Sequence, residues 1–99
     1  NRLTACFAFI FNKNYYDIRG FIDSDAKVQC AFLAKELLGY SWMDLGKYYS
    51  IDRWYLRNKM NDVKIEVELS EHLALMMSGV RQLWRLMEVN GVIELDTNA

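Results

Sequence analysis

Five side chains between residues 53 and 61 have the chemistry needed to contact DNA bases: Arg53, Trp54, Arg57, Asn58 and Asn61. An arginine can hold guanine O6 and N7 in a fork, an asparagine can pair bidentately with adenine, and an aromatic ring can touch a thymine methyl group. On a helix these positions project to one side, while Leu56 and Met60 project to the other at a spacing of four. The pattern predicts an amphipathic helix whose outer face contacts bases.

A second group of side chains could hold the DNA backbone: Ser41, Lys47, Tyr55, Lys59 and Lys64. Lysines neutralise phosphates, and hydroxyl groups donate hydrogen bonds to phosphate oxygens. There is another interpretation, because arginine, asparagine and lysine are ordinary solvated residues on many helices. In that case Trp54 would only cover a neighbouring helix.

The segment 41–61 has the features of two short helices joined by a tight turn. Ser41 can accept hydrogen bonds from the first free amides of a helix, and Asp44 can return a bond to its backbone. Inside that helix Gly46 costs about 1 kcal/mol relative to alanine, so we expect a second helix to approach closely there. A turn with the apolar residue Ile51 follows. These offsets predict a helix-turn-helix.

Hydrophobic periodicity predicts further helices over residues 3–13, 24–38 and 70–90. Ser24 or Asp23 would cap the second of these helices, and Gly39 would end it. Lys27 would lie at the edge of its inner face. The Asn-Gly pair at 90–91 would end the last helix.

Core-facing positions recur along these three helices at spacings of three and four: Leu3, Cys6, Phe7, Ile10, Phe11, Val28, Phe32, Leu33, Leu37, Leu38, Leu73, Met76 or Met77, Val80, Leu83, Trp84 and Met87. Residues 14–19 would fold back against this core as a connection. Residues 62–69 alternate apolar and charged side chains as a strand would, but a lone strand has no partner. We therefore predict an extended linker there or a continuation of the preceding helix.

Length and composition indicate the class of fold. A chain of 99 residues forms one domain, which we place at residues 1–91, followed by a short acidic tail at 92–99. The chain is 53% hydrophobic, lacks proline and has few β-branched runs. These features predict an all-α bundle of about five helices.

The charge distribution bears on the DNA hypothesis. A net charge of −1 argues against general polyanion binding, because phosphate contacts dominate nonspecific DNA affinity. Basic residues nevertheless collect in one segment. Residues 41–64 carry five basic and three acidic side chains, whereas residues 65–99 carry two and six. The positive excess therefore coincides with the predicted helix-turn-helix.

The usual catalytic and metal-binding motifs are missing from the sequence. Cys6 and Cys30 form no CxxC pair and are predicted to be buried free thiols. With His72 as the only histidine, a zinc site would need carboxylates for most of its ligands. There is no Gly-rich phosphate loop, nucleophile elbow or HExxH motif. We expect no enzyme activity, no cofactor and no metal. Without a visible signal peptide or membrane span, we predict a cytoplasmic protein.

From residue 7 to about residue 87 the sequence resembles the C-terminal DNA-binding domain of the bacterial replication initiator DnaA. The resemblance is strongest in the LAKEL run at 33–37, the GYS run at 39–41 and the LGK run at 45–47, with weaker agreement in the YDIR run at 16–19. It implies a Trp-repressor-like helical fold and binding of double-stranded DNA, in a role in replication or transcription regulation.

Two segments differ from that family. Where the family has an Arg-Asp-His-Thr-Thr signature at the recognition helix, this chain has residues 51–55, in which only Asp52 is shared. The family's basic loop corresponds here to residues 20–25, which carry Asp23 and Asp25 instead. The resemblance therefore implies the scaffold and a DNA-facing helix, and not the initiator's own recognition sequence.

The sequence thus supports two functional hypotheses. The first is sequence-specific binding of duplex DNA through the helix-turn-helix. The second is a protein-interaction or homodimerisation module that kept the fold and lost DNA binding, with Trp54 and Tyr55 as apolar anchors. A third possibility is that the chain is one piece of a longer replication or regulatory protein whose activity lies elsewhere.

Overall fold

The computed structural model describes the backbone of residues 1–20 and 24–98 and the side chains of residues 1–20 and 25–89. Helices make up nearly all of the described chain: α1 (Arg2–Phe11), α2 (Tyr15–Arg19), α3 (Ser24–Leu38), α4 (Trp42–Tyr49), α5 (Arg53–Leu69) and α6 (Glu71–Asn98). The predicted all-α helical bundle is confirmed. Asp23, proposed as a cap and as part of an acidic loop, lies outside the described residues.

Helix boundaries follow local chemistry in most places. Gly39 has a positive φ of 68° directly after α3, which confirms the predicted stop because glycine adopts this conformation without strain. The segment 62–69 continues α5, as one of the two alternatives predicted. Residues 14–19 are more than a connection, because Asn14 caps the short helix α2 by accepting from the amide of Tyr16 at 2.8 Å.

The predicted end of the last helix at residues 90–91 is wrong. Helix α6 continues to Asn98, so the segment predicted as a tail is helical over residues 92–98. Glycine costs only about 1 kcal/mol inside a helix, and no proline follows Gly91 to stop the chain from continuing. An Asn-Gly pair therefore permits a helix end without requiring one.

Helix α3 lies at the centre of the bundle, where it packs against α1, α2, α4 and α5, while α1 packs mainly along α6. Small side chains make its inner face: Ala26, Cys30, Ala31 and Ala34 are buried together with Val28 and Leu33. Predicted core residues Phe32, Leu37 and Leu38 are only half-buried. The small inner face lets neighbouring helices approach closely.

Two further predictions about burial are wrong. Lys27, predicted at the edge of α3, is only 2% exposed because it shares a stripe with Cys30, Ala31 and Ala34. Met87, predicted in the core, is exposed on α6, where its sulfur lies 3.5 Å from the sulfur of Cys6. Both cysteines are free and buried, as predicted.

Neither a membrane span nor a metal cluster is evident within the described ranges. None of the helices there combines the length and the apolar character needed to cross a bilayer. The same residues hold no group of three or more histidine, cysteine, aspartate or glutamate side chains placed to bind a metal ion.

Candidate nucleic-acid interface

Helix α4 begins as the sequence predicts. The hydroxyl oxygen of Ser41 accepts a hydrogen bond from the amide of Asp44 at 3.1 Å, which confirms the N-cap. Ser41 remains exposed, and accepting this bond leaves its O–H group able to donate to a phosphate. Lys47 is also exposed, in the last turn of α4.

The connection between α4 and α5 is a turn of three residues, 50–52. Ser50 adopts a left-handed conformation with φ of 54°, and the amide of Ile51 donates to the carbonyl of Gly46 at 3.0 Å. Asp52 then caps α5, because its carboxylate accepts from the amide of Tyr55 at 3.0 Å. Hydrogen bonds therefore fix the backbone on both sides of the turn.

Gly46 occupies the tightest point of this junction. A Cβ atom added there would lie 2.9 Å from the carbonyl oxygen of Ile51 and 3.5 Å from the Cβ atom of Arg53. The tight contact predicted at this glycine is confirmed, but its nearest atom belongs to the turn, and the second helix comes next through Arg53. Any larger residue would have to move the turn or the start of α5.

The outer face of α5 presents the five base-contact candidates together. Each of them is exposed: Arg53, Trp54, Arg57, Asn58 and Asn61. The opposite side of α5 packs into the core through Leu56, Met60 and Val63. The guanidinium carbon of Arg53 lies 5.3 Å from the centre of the Trp54 ring, so the charge and the ring occupy one patch. Trp54 is 58% exposed, so most of its ring is open to solvent.

The predicted phosphate contacts do not lie on one surface. Ser41 caps α4, Lys47 is on α4, and Lys64 is on the flank of α5 beside Phe32 and Lys35. The remaining two, Tyr55 and Lys59, lie on the other flank of α5, facing the start of α3. All five candidates are exposed. Tyr55 and Lys59 lie on one side of the outer face of α5 and Lys64 lies on the other side, so phosphates of a bound duplex would have to approach from both sides.

The flank that carries Tyr55 and Lys59 is partly acidic. The two residues line a cleft of about 180 Å³ that also contains the carboxylates Asp25, Asp62 and Glu66. The ammonium group of Lys59 lies 3.8 Å from the Asp62 carboxylate and 5.7 Å from the centre of the Tyr55 ring. A phosphate approaching Lys59 would have to compete with the Asp62 carboxylate for interaction with the ammonium group.

Tyr49, the last residue of α4, makes hydrogen bonds both through its side-chain hydroxyl group and through its backbone carbonyl. Tyr49 is fully buried, and its hydroxyl group lies 2.9 Å from the Thr4 hydroxyl and 3.3 Å from the Cys30 sulfur. Burial raises the pKa of the Cys30 thiol to about 11 and also raises the pKa of the Tyr49 hydroxyl. This neutral polar network joins α1, α3 and α4 inside the core.

Two cations hold the carbonyl groups at the end of α4. The ammonium group of Lys27 donates to the carbonyl of Tyr49 and, at 2.9 Å, to that of Ile18. The Nε atom of Arg19 donates to the carbonyl of Tyr48 at 3.4 Å, and its guanidinium carbon lies 4.2 Å from the centre of the Tyr48 ring. Cations at a helix C-terminus satisfy its free carbonyls and interact favourably with its dipole.

Comparisons with known proteins add no relative to this picture: no protein-family model, curated protein sequence or solved structure gives a significant match to the chain. The resemblance to the replication initiator therefore remains an expectation from a few short motifs.

Sequence reasoning found the outer face but missed the groups beneath it. The sequence pattern predicts Lys27 at an edge, although the small residues three, four and seven positions later mark its stripe as the most closely packed side of α3. The partners of Tyr49 come from α1 and α3, at sequence distances of 45 and 19 residues. No local pattern indicates such pairs.

Proposed function

We propose that this protein binds double-stranded DNA in a sequence-specific manner by placing the first turns of α5 in the major groove. The observation that carries the proposal is the outer face of α5, where five side chains suited to base contacts are exposed together beside a rigid three-residue turn. Helix-turn-helix proteins contact base edges with the N-terminal residues of their second helix. The chain would act in replication or transcription regulation, in the cytoplasm, without enzyme activity.

The spacing on the outer face suits bases rather than phosphates alone. Arg53 and Arg57 stand one turn apart, roughly 6 Å along the helix axis. Successive base pairs are about 3.4 Å apart, so the two guanidinium groups reach guanines about two steps apart. Asn58 and Asn61 would pair with adenines beyond them, and Trp54 would pack on a sugar or a thymine methyl group.

Charge favours docking through the first half of α5. The first half carries three basic residues, whereas the second half carries three acidic residues and one lysine, Lys64. Within the described residues, Lys47, Arg57 and Lys64 take part in no ion pair. These cations are available to neutralise phosphates, while the acidic half would keep the duplex from lying along the full length of α5.

The first test is a binding selection from a random pool of duplex DNA at about 50 and 200 mM salt, followed by sequencing of the retained duplexes. We expect salt-dependent retention and an enriched motif that contains guanine. Retention without enrichment would reduce the function to nonspecific backbone binding. No retention even at the lower salt concentration would exclude DNA as the partner.

A second candidate function, association with another protein or a second copy of the chain, is favoured by one observation. The exposed side of α5 carries apolar residues beyond the base-contact candidates, namely Ile65 and Leu69, the latter 82% exposed. Together with Trp54 and Tyr55 they place large apolar groups along most of the helix. Aromatic residues of this kind often anchor protein interfaces.

Solution mass separates the two functions. Light scattering after size exclusion, applied to the wild type and to Trp54→Ala, measures self-association directly. A wild-type dimer that the substitution dissociates, together with unchanged DNA retention, would favour the interaction module. A monomer whose DNA retention falls on substitution would favour the major-groove contact.

A further inference from the structure

The end of α4 is bound to two neighbouring elements, and this region directs the chain into α5. Tyr49 is the last residue of α4, and α5 begins at Arg53. Only the three turn residues separate the Tyr49 carbonyl from the outer face. The position of that carbonyl therefore sets the direction in which the chain leaves α4.

Lys27 holds that carbonyl from inside the protein. Its side chain is 2% exposed, and its ammonium group bridges the carbonyls of Tyr49 on α4 and Ile18 on α2. Burial of an ammonium group is costly unless hydrogen bonds satisfy its donors. Two backbone carbonyls from different helices supply such bonds, so α2, α3 and α4 meet at this one group.

The turn depends on the same geometry. Ile51 donates its amide to Gly46 inside α4, and the carbonyl of Ile51 lies at the point where Gly46 leaves no room for a Cβ atom. A shift of the last turn of α4 would therefore disturb this hydrogen bond and displace Arg53, the first residue of α5. The contact at Lys27 and the start of the outer face are mechanically connected.

We propose that Lys27 is a positioning residue for DNA recognition: by fixing the final carbonyl of α4 to α2, it sets the orientation of the outer face of α5. The predicted effect on DNA affinity rests on the proposed DNA-binding function. The predicted effect of Lys27 on the turn between α4 and α5 does not depend on that function. Arg19 supports the same helix end from the surface through the carbonyl and ring of Tyr48.

The test compares Lys27→Met with Lys35→Met. Lys35 also lies on α3 and also donates to a carbonyl, that of Tyr40 at 3.3 Å. Its ammonium group lies 4.4 Å from the centre of the Trp42 ring, so its contacts are at the start of α4, the end opposite to Tyr49. Amide hydrogen exchange is measured at Ile51 and Tyr55, which report on the turn. It is also measured at Ala74 in α6, whose amide donates to the carbonyl of Ser70. Affinity is measured for an enriched duplex and for a random duplex.

In Lys27→Met we expect exchange at the two turn amides to accelerate about tenfold, with less than about threefold change at Ala74. Affinity for the enriched duplex should fall about tenfold and that for random duplex less than about twofold, because the phosphate contacts remain. Lys35→Met should change each of these values less than about threefold. Uniform acceleration at all three amides in Lys27→Met would overturn the proposal, because it would make Lys27 a residue of general stability.

A second variant covers the case in which Lys27→Met does not fold. Arg19→Gln removes the surface cation from the same helix end, with Arg85→Gln, exposed on α6, as its control. Faster exchange at Ile51 in Arg19→Gln alone supports the proposal that cations at the end of α4 position the turn, and equal exchange in both variants overturns it. A wild-type chain that binds no duplex would overturn the proposed function, while the exchange rates would still decide the role of Lys27 at the turn.

Discussion

Tyr49 and Trp54 are five residues apart and have opposite environments. The first ends α4 with its side chain fully buried and its hydroxyl group bonded to α1 and α3. The second lies in the first turn of α5 with more than half of its surface exposed. The anchored end of α4 and the outer face of α5 are thus two regions joined by a single short turn.

The difference shows that the residues that stabilise the end of α4 are separate from the residues that are available to contact a partner. At the anchored end, the polar groups of Tyr49 and Lys27 find partners inside the protein. On the outer face, the guanidinium group of Arg57 and the amides of Asn58 and Asn61 are left to solvent or to a partner. Rigid support beneath an exposed polar surface is the arrangement that precise recognition requires.

Truncation of the two rings should give the largest contrast. Tyr49→Ala should lower the free energy of unfolding by about 3–5 kcal/mol, because it leaves a cavity and removes a buried hydroxyl group. Trp54→Ala should change it by less than about 0.5 kcal/mol, because the ring is mostly solvated. Urea unfolding of both variants measures the difference. Similar losses in the two would contradict the separation of the regions.

The second largest effect should come from alkaline pH, which should lower the free energy of unfolding through Cys30 at the anchored end of α4. The pKa of the Cys30 thiol rises from 9.0 to about 11 in the folded protein, so the folded state holds this proton more tightly than the unfolded state. Its stabilisation is complete below pH 9 and is lost as the pH approaches 11, a loss of about 2–3 kcal/mol. Urea unfolding between pH 8 and 11 should show a steeper decline for the wild type than for Cys30→Ala. Parallel declines would contradict this account.

Glycine-to-alanine substitutions sharpen the comparison at the turn. Gly46→Ala should destabilise the protein by about 1–3 kcal/mol, because its Cβ atom would meet the Ile51 carbonyl at 2.9 Å. Gly79→Ala, inside α6, places its Cβ atom at an ordinary 3.7 Å from Ile10 and should stabilise by about 0.5–1 kcal/mol. Thermal unfolding distinguishes the two signs. Stabilisation by both substitutions would mean that the junction is looser than described.

Arginine and lysine substitutions test the outer region with the smallest effect on the fold. Arg57→Ala should cost about 1–3 kcal/mol of binding free energy for an enriched duplex and relax the preference at one base. Lys47→Ala should weaken all duplexes alike and reduce the salt slope by about one. Both should leave unfolding unchanged, with Arg85→Ala as the control for net charge. An unchanged salt slope in the lysine variant would contradict contact between α4 and a phosphate.

Much of this architecture could be predicted from local patterns. The absence of proline and the spacing of Leu56 and Met60 indicated helices, and Ser41 and Gly39 marked boundaries that the structure confirms. Gly46 indicated a tight contact even though its partner was unknown. These features depend on neighbours within a few residues, so the sequence carries them directly.

Helix ends with weak signals were predicted less well. The Asn-Gly pair at 90–91 suggested a stop, but α6 continues because nothing there forbids helical geometry. The pattern at 62–69 fitted both a strand and a helix, and only packing of Val63 against the core selected the helix. Such choices depend on contacts made by the whole bundle.

The sequence by itself determined that the chain is helical and that α5 has an outer face rich in arginine and asparagine. Only the tertiary structure decided that Lys27 is inside, that Tyr49 meets Thr4 and Cys30, and that the phosphate candidates divide between two flanks of α5. The reason is physical: helical periodicity is a property of residues three and four apart, whereas the burial of a charge depends on groups far away in sequence. The region that would hold the recognition surface in place was therefore invisible until the helices were packed together.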